Sequence, residues 1–404
     1  MSTRLFTITV TASGVPTWAA GLNDGQVRTL TGSTYGPTNG VETLYSLLGQ
    51  PGVPTGWQKL TGSPINATAI YGAWNGGRGD VNGKRLFVHG GGHGDSANNG
   101  LYYYDFTGAT RPTGWVYAPN SLSAVASISS SRTVYPDNRP TAVHTYDALA
   151  FSDTQQRFYR FGGAAYSSGS GALGVYHYDL NAQAWSSVTS GGAAWGSLAD
   201  VSSKLNSTVL AAPDDSKFLY CPRQVQSIFY TASSGAAAFS GVNSPMNGDL
   251  GTATSAPGPR SQTADKWLVV DDGNAGKQIY LATVNWSTNA ISWGSNLYGS
   301  HASHAALLPS GLRGGSIFYD PSHSLGPCWW MFGFDGDMGA SAMSTSLYRM
   351  DATTYAVTVY PLSAAIDQTS PYGSFNRHAW FPDWRVVCTT QHVNQPMTVF
   401  KVPN

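Results

Sequence analysis

The feature that most constrains the fold of this chain is a pattern of strand, glycines and strand that recurs along it. In the first copy the apolar strand 85–89 runs into 90–95, which reads GGGHGD, and the strand 101–106 follows after a short polar turn. Trp115 comes next. Glycines at the end of a strand allow a neighbouring backbone to approach closely, because a Cβ atom there would clash.

The same order returns further along the chain. A second copy occupies 157–185, and a fragment of a third occupies 329–351. We expect the first strand of each repeat near one of six residues: Ile70, His144, Asn206, Ala264, Ser316 and His378. Repeats of roughly 50 residues or more predict a ring or stack of small sheets, since one such sheet cannot bury both of its faces alone.

Composition narrows the class of protein. Charged residues make up 11% of the 404 residues and balance to a net charge of zero, so neither nucleic acid nor an anionic membrane is expected as a partner. Aromatic residues make up 12%, which argues against disorder. No run approaches the roughly 20 apolar residues needed to span a bilayer. The N-terminal stretch 1–10 alternates like a strand and lacks the apolar core of a signal peptide.

We therefore predict an all-β fold, with residues 65–404 forming a single β-propeller of six four-stranded blades. A seventh blade could lie in 13–64, a Gly- and Pro-rich segment that we otherwise interpret as an irregular wrap or a docking element. The last repeat, from His378 onward, contains only three candidate strands. Because a propeller must close its ring, we assign residues 1–12 as the strand that completes this blade.

The three cysteines are Cys221, Cys328 and Cys388, and they do not have the spacing of a disulfide framework or of a metal-ligand motif. They are predicted to be buried thiols.

Histidines occur at similar points of several repeats. Equivalent positions of different blades face one another around the axis of a propeller, so we expect His93, His144, His304 and His378 to converge on one pocket. The alternative for each is a hydrogen-bonded histidine at a strand end. No cofactor is predicted. His301 and His304, three residues apart on an irregular stretch, are a weak candidate for a metal site.

These motifs resemble those of known propellers. The repeat pattern, with GGGHGD at 90–95 and His-Thr-Tyr-Asp at 144–147, resembles the kelch-type β-propellers and the kelch-like propeller proteins of bacteria and phages. It is also similar in kind to propeller polysaccharide lyases of the ulvan lyase type. That resemblance implies a histidine and a tyrosine that handle the proton, and an arginine or histidine that neutralises a uronate carboxylate.

A β-elimination needs a cation for the anionic intermediate, a base and an acid. Arg377 or Arg223 could supply the positive charge. His144 or Tyr146 could act as the base, and His93 or Tyr146 as the acid.

Further candidates extend this site. His378 is a catalytic candidate, and the substrate-binding candidates are Trp74, Asp95, Arg223 and His304. Trp74 lies in a glycine-rich turn and is our preferred exposed tryptophan for stacking on a sugar ring.

Glycoside hydrolysis is the competing chemistry, and it needs two carboxylates that face the scissile bond. Asp95, Asp147 and Asp335 could be proposed. Aspartate after tyrosine in these repeats is more typical of a turn residue, so we favour a lyase over a hydrolase.

The sequence leaves three functions open. The first is an extracellular or phage virion propeller, of tail or adhesin type, that binds a cell-surface glycan and could also degrade it. The second is a polysaccharide lyase acting on a uronate-containing polymer, and the third is a non-catalytic interaction propeller. The expected partners are an acidic surface polysaccharide and, through 13–64, other virion proteins. The expected location is a virion or the extracellular space, with no Sec signal.

Overall fold

The structure is a computed structural model that describes residues 14–30, 70, 74–108, 114–172, 174–186, 207–246, 253–261, 264–273, 276–309, 311–334, 344–366, 373–390 and 396–404. The regular structure of these residues is almost entirely β. They include the α-helix α1 (Ala302–Leu307), and none of their helices is long and apolar enough to cross a membrane.

The strands in chain order are β1 (Val27–Thr29), β2 (Gly77–Asp80), β3 (Arg85–His89), β4 (Leu101–Asp105), β5 (Gly114–Tyr117), β6 (Val143–His144), β7 (Leu149–Ser152), β8 (Arg157–Phe161), β9 (Ala164–Ala165), β10 (Val175–Asp179), β11 (Ala184–Trp185), β12 (Ser207–Ala211) and β13 (Lys217–Pro222). They continue with β14 (Gln226–Thr231), β15 (Ala237–Asn243), β16 (Thr254–Arg260), β17 (Asp265–Gly273), β18 (Gly276–Asn285), β19 (Ala290–Trp293), β20 (Ser316–Asp320), β21 (Cys328–Phe332), β22 (Ser344–Asp351), β23 (Val357–Ile366), β24 (His378–Phe381), β25 (Val386–Thr389) and β26 (Thr398–Lys401).

Twenty-four of these strands form six four-stranded antiparallel sheets, which are the six blades of a β-propeller. Blades one to five are β2-β3-β4-β5, β7-β8-β10-β11, β12-β13-β14-β15, β16-β17-β18-β19 and β20-β21-β22-β23. Blade six is β24-β25-β26-β1. The first strands of neighbouring blades contact one another and surround the axis. The predicted all-β propeller of six blades is confirmed.

The ring is closed by a strand from the N-terminal part of the chain, as predicted, but its position differs from our assignment. The fourth strand of blade six is β1, which pairs with β26 in the register Val27 to Phe400 and Thr29 to Thr398. It lies inside the segment 13–64 that we interpreted as irregular, whereas residues 1–12 and 31–64 lie outside the described residues. The described part of this segment packs in the ring, since Trp18 is fully buried against Phe106 and Trp384.

Six apolar clusters, one for each pair of adjacent blades, hold the ring together. Strand β21 shows how one strand serves two of them. Its side chains alternate, so Trp329 packs in the cluster shared with blade four and Trp330 in the cluster shared with blade six. Each fully buried large side chain contributes roughly 1.5–3 kcal/mol. Cys221, Cys328 and Cys388 lie in these clusters as buried free thiols, as predicted.

The repeat boundaries were predicted well for some blades and wrongly for others. Blades three, five and six begin within one residue of Asn206, Ser316 and His378, the expected positions. In blade four the expected start near Ala264 belongs to the second strand, β17, and the true first strand is β16. Its sequence, TSAPGPR, contains two prolines and a glycine, residues that are depleted in strands, so the pattern does not indicate a strand there.

A polar cluster of Asp147, Arg78, Thr208, Ser255 and Asn376, which we call the Asp147 hub, links all six blades across the axis. Asp147 Oδ2 accepts hydrogen bonds from Thr208 Oγ1 at 2.6 Å and from Ser255 N at 2.9 Å, and its Oδ1 accepts one from Asn376 Nδ2 at 2.8 Å. Arg78 of blade one lies 4.0 Å from Oδ1. The amide oxygen of Asn376 accepts from the backbone N–H of Ile317 in blade five.

Asp147 is therefore not the local turn residue that we predicted. The prediction is confirmed for Asp179, which follows Tyr178 and whose carboxylate accepts the backbone N–H groups of Asn181 and Ala182. Burial raises the pKa of Asp147, and Arg78 and the three hydrogen-bonding residues oppose that shift.

Candidate functional site

The tight turn after β3 carries two of the predicted site residues. Gly92 N donates to Ser96 O at 2.7 Å, and Asp95 N donates to Gly92 O at 3.0 Å, so His93 and Asp95 project from a closed turn. Gly92 has φ +80°, and a Cβ atom there would overlap the backbone of Val143 and His144. Glycine is therefore needed at 92 both for the conformation and for the approach of the next blade's lead-in segment.

That lead-in segment supplies the third residue. Strand β6 pairs with β9, with His144 opposite Ala164. The carbonyl oxygen of Ala164 also accepts the backbone N–H of His93 at 3.3 Å. Ala164 thus accepts a hydrogen bond from the backbone of His93 and is also the strand partner of His144. These two contacts fix the backbones of the two histidines relative to each other.

His93, Asp95 and His144 form what we call the histidine cluster. Nε2 of His144 lies 2.6 Å from Oδ2 of Asp95, and the centroids of the two imidazole rings lie 5.5 Å apart, edge to face. The His144 side chain is 2% exposed and that of Asp95 is 40% exposed, while His93 is exposed. The cluster therefore has a buried side, at His144, and an open side, at His93.

Burial dominates the electrostatics of His144. It lowers the pKa of His144, Asp95 opposes that shift, and His93 adds to it. At neutral pH the imidazole is therefore neutral and hydrogen-bonded to the carboxylate. Aspartate in this position holds one orientation of the ring, as the acidic partner of a catalytic histidine does.

Two aromatic residues flank the cluster. The ring of Trp74 lies 5.2 Å from the His144 ring, centroid to centroid, and Trp74 is half-buried. The ring of Tyr146 lies 6.1 Å from that of His144, centroid to centroid. Burial raises the pKa of the Tyr146 hydroxyl well above its usual range, so a tyrosinate base is not favoured there. Of the two predicted bases, His144 fits that role better than Tyr146.

The predicted convergence of four histidines holds for His93 and His144 only. His304 lies in α1, where its Nε2 donates to the carbonyl oxygen of Tyr355 at 2.7 Å. His301 caps the same helix, since its Nδ1 accepts the N–H of Ser303 at 3.1 Å. Both side chains therefore have structural roles at this helix.

His378 lies at the axis, away from the histidine cluster. It lines an axial cavity of about 280 Å³, and burial lowers its pKa to about 3. Its Nδ1 is buried without a hydrogen-bond partner among the described residues. The same cavity is lined by Arg78, Asn376, Trp267 and Trp380.

The two predicted arginines have other positions. Arg377 is fully buried, and its guanidinium donates to the carbonyl oxygens of Asn75 and Gly373, the latter at 2.6 Å. This position ties blade six to blade one and does not leave the guanidinium free for a substrate carboxylate. Arg223 lies in the turn between β13 and β14 of blade three. The charged groups that shift the pKa of His144 are Asp95 and His93, and no arginine is among them.

The three residues of the histidine cluster are also the described group that could hold a metal ion, because their donor atoms all lie within 4.8 Å of one another. We predicted Asp95 as a substrate-binding residue and did not pair it with His144. The two residues are 49 positions apart, and only the contact between blades one and two brings them together. The closeness of His93 and Asp95 within one glycine-rich turn was the signal in the sequence.

No protein-family model matches the sequence, and no curated protein matches it. Among solved structures, a chain of the one titled "Crystal Structure of Mitotic Checkpoint Complex" is similar, with 13% identity and a TM-score of 0.42 over 85% of this chain and 93% of that chain. At that level the similarity carries no argument about fold or function, and the kelch-type and lyase resemblances stay predictions.

Proposed function

We propose that this propeller binds an acidic cell-surface polysaccharide at the face that carries the histidine cluster and cleaves it there by β-elimination. The observation that supports the proposal is the 2.6 Å contact between His144 and Asp95 beside an exposed imidazole, His93. An extracellular or virion setting, in which such a polymer would be met, is part of the same proposal.

Each residue has a role in this proposal. Asp95 holds the neutral imidazole of His144 in one orientation. His93 is the most exposed of the three and is placed to exchange a proton with a bound polymer. Trp74, half-buried beside His144, offers part of its ring to a sugar.

The composition of the cluster favours elimination over hydrolysis. A glycoside hydrolase places two carboxylates on either side of the scissile bond. Asp95 is the one carboxylate of the cluster, since Asp147 is buried in the hub and bonded to three other blades. Asp335 lies outside the described residues. Two imidazoles and one carboxylate are better suited to moving a proton than to paired carboxylate chemistry.

The test is to incubate the purified chain with a panel of acidic and neutral surface polysaccharides. Ultraviolet absorbance reports the unsaturated uronate that elimination creates, and size-exclusion chromatography reports polymer length. We expect absorbance to rise and the polymer to shorten together for at least one acidic polymer. His93→Ala should abolish both signals, while His301→Ala, which removes an exposed histidine far along the chain, should leave them unchanged.

Three outcomes would contradict the proposal in different ways. Shortening without absorbance would indicate hydrolysis. Binding without shortening would indicate a glycan-binding module with no catalytic role. If the chain neither bound nor shortened any polysaccharide of the panel, a polysaccharide would be ruled out as its ligand.

A further inference from the structure

We infer that the histidine cluster is a binding site for one divalent transition-metal ion, with His93, Asp95 and His144 as its three protein ligands. The inference concerns the same residues as the proposed function and rests on it only for the chemical consequence. Metal binding itself can be measured without any polysaccharide.

The three donor groups of the histidine cluster lie close enough together to bind one ion. One carboxylate oxygen and two imidazole nitrogens lie within 4.8 Å of one another. Ligands of a tetrahedral site with bonds of about 2.0–2.1 Å are separated by roughly 3.4 Å. The distances between the donor atoms of the cluster run from 2.6 Å, between His144 and Asp95, to at most 4.8 Å, and this range includes the tetrahedral value. His93, on the exposed side, can adjust by rotation of its side chain.

The backbone around the donors is fixed, which reduces the cost of bringing them together. Asp95 and His93 share one closed turn, and Ala164 is bonded to His93 while pairing with His144 in β6 and β9. Gly169, at φ +64°, packs on the imidazole of His93, where a Cβ atom would lie 2.6 Å from Nε2. Three separate segments of blades one and two therefore meet at this point.

The donor set indicates the class of ion. Calcium and magnesium prefer sites built from oxygen ligands. Two imidazoles and one carboxylate favour zinc or a neighbouring first-row ion such as cobalt, nickel or manganese. Three protein ligands leave at least one position open for water or substrate, as in catalytic rather than structural zinc sites.

A metal ion at the cluster would also supply positive charge that the arginines do not bring there. Arg377 is engaged with backbone carbonyls, and Arg223 lies in the turn between β13 and β14 of blade three. A divalent ion would bring positive charge to the face where a uronate carboxylate would bind. Binding of the ion at Nε2 would require the tautomer of His144 that carries its proton on Nδ1, and a water in the open position of the ion would take over proton exchange from His93.

The test starts with the full chain after dialysis against a chelator. Zinc or cobalt is added back, unbound ion is removed by gel filtration, and metal per chain is measured by inductively coupled plasma mass spectrometry. Visible absorption of the cobalt-loaded protein reports the ligand number. We expect about one ion per chain and a four- or five-coordinate cobalt spectrum.

Variants then locate the ion. Asp95→Asn and His93→Ala alter exposed or half-exposed side chains, so both proteins should fold, and each should weaken metal binding at least tenfold. His301→Ala is the matched control and should bind like the wild type. Unchanged binding in the double variant Asp95→Asn/His93→Ala, loss of binding only in His301→Ala, or no retained metal in the wild type would each overturn the inference.

Chelation separates this inference from the proposed function. Polysaccharide cleavage that is lost on chelation and restored by zinc or cobalt would support both. Cleavage by a chain that binds no metal would overturn the metal site and leave the elimination proposal standing. Metal binding at the cluster without action on any polysaccharide would support the metal site and contradict the proposed function.

Discussion

Two aspartates in this molecule, Asp147 and Asp95, show how the same carboxylate can serve the fold or be available for chemistry. Asp147 is 1% exposed and accepts hydrogen bonds from residues of three other blades. Asp95 is 40% exposed, and its contact is with one imidazole, His144, beside another that is open to solvent. The first carboxylate is fully coordinated by the protein, whereas the second has room for a ligand, which is why we assign function to the cluster and not to the hub.

The largest effect that tests this comparison is expected at the hub. Asp147→Ala would leave the donors of Thr208, Ser255 and Asn376 without their acceptor in the buried axis. We expect it to lower the free energy of unfolding by about 3–5 kcal/mol. Asp95→Ala should change it by less than about 1 kcal/mol. Urea unfolding followed by tryptophan fluorescence measures both, and equal losses would erase the distinction between the two aspartates.

The next effect tests the turn that builds the cluster. Gly92 has a positive φ, and Gly92→Ala would place a Cβ atom against the backbone of Val143 and His144. We expect this variant to lower the free energy of unfolding by about 2–3 kcal/mol and to displace His144. Gly94→Ala is the control, because a Cβ atom there meets nothing within 4 Å, and its effect should stay within about 0.5 kcal/mol. Similar unfolding midpoints for the two variants would mean that the turn is not held as described.

Acid should destabilise the protein through its buried histidines. Burial lowers the pKa values of His89 and His378 to about 3, from a usual value of 6.5. The unfolded chain therefore binds more protons than the folded chain between pH 6.5 and pH 3, and stability falls as the pH is lowered through that range. At pH 5 each of these two histidines lowers the free energy of unfolding by up to about 2 kcal/mol.

Substitution of one buried histidine tests this. His378→Gln should reduce the fall in melting temperature between pH 7 and pH 5, because glutamine does not titrate. A flat pH profile for the wild type would show that these buried histidines do not lose protons on folding.

The smallest effect is expected at the edge of the cluster. Trp74→Ala removes one aromatic face, and stacking of a ring is worth about 1 kcal/mol. That corresponds to roughly fivefold weaker polysaccharide binding, measurable by calorimetry with little change in turnover of the bound polymer. Unchanged affinity would remove Trp74 from the binding surface.

The sequence predicts the architecture better than the site, for a physical reason. Strand patterns such as those of β3 and β21 are local, and so the six blades follow from alternating apolar residues and turns. Strand β16 was missed because its prolines hide the pattern, and the closing strand was placed at 1–12 instead of at β1 because both stretches lack a local hairpin partner.

The site depends on contacts between distant parts of the chain. The pairing of Asp95 with His144 spans 49 positions, and the hub joins Asp147 to Asn376 across 229. Residue type alone could not distinguish His144, which joins the cluster, from His378, which lines the axial cavity. Nor could it show that Arg377 would be used to hold backbone carbonyls.

The most direct test of the account is the turnover of Asp95→Asn on a polysaccharide that the wild-type chain cleaves. This variant keeps the shape of the side chain and removes its charge, so it should lower turnover at least about 100-fold while the urea midpoint stays within error of the wild type. Wild-type turnover in this variant would show that the histidine cluster does not carry the activity.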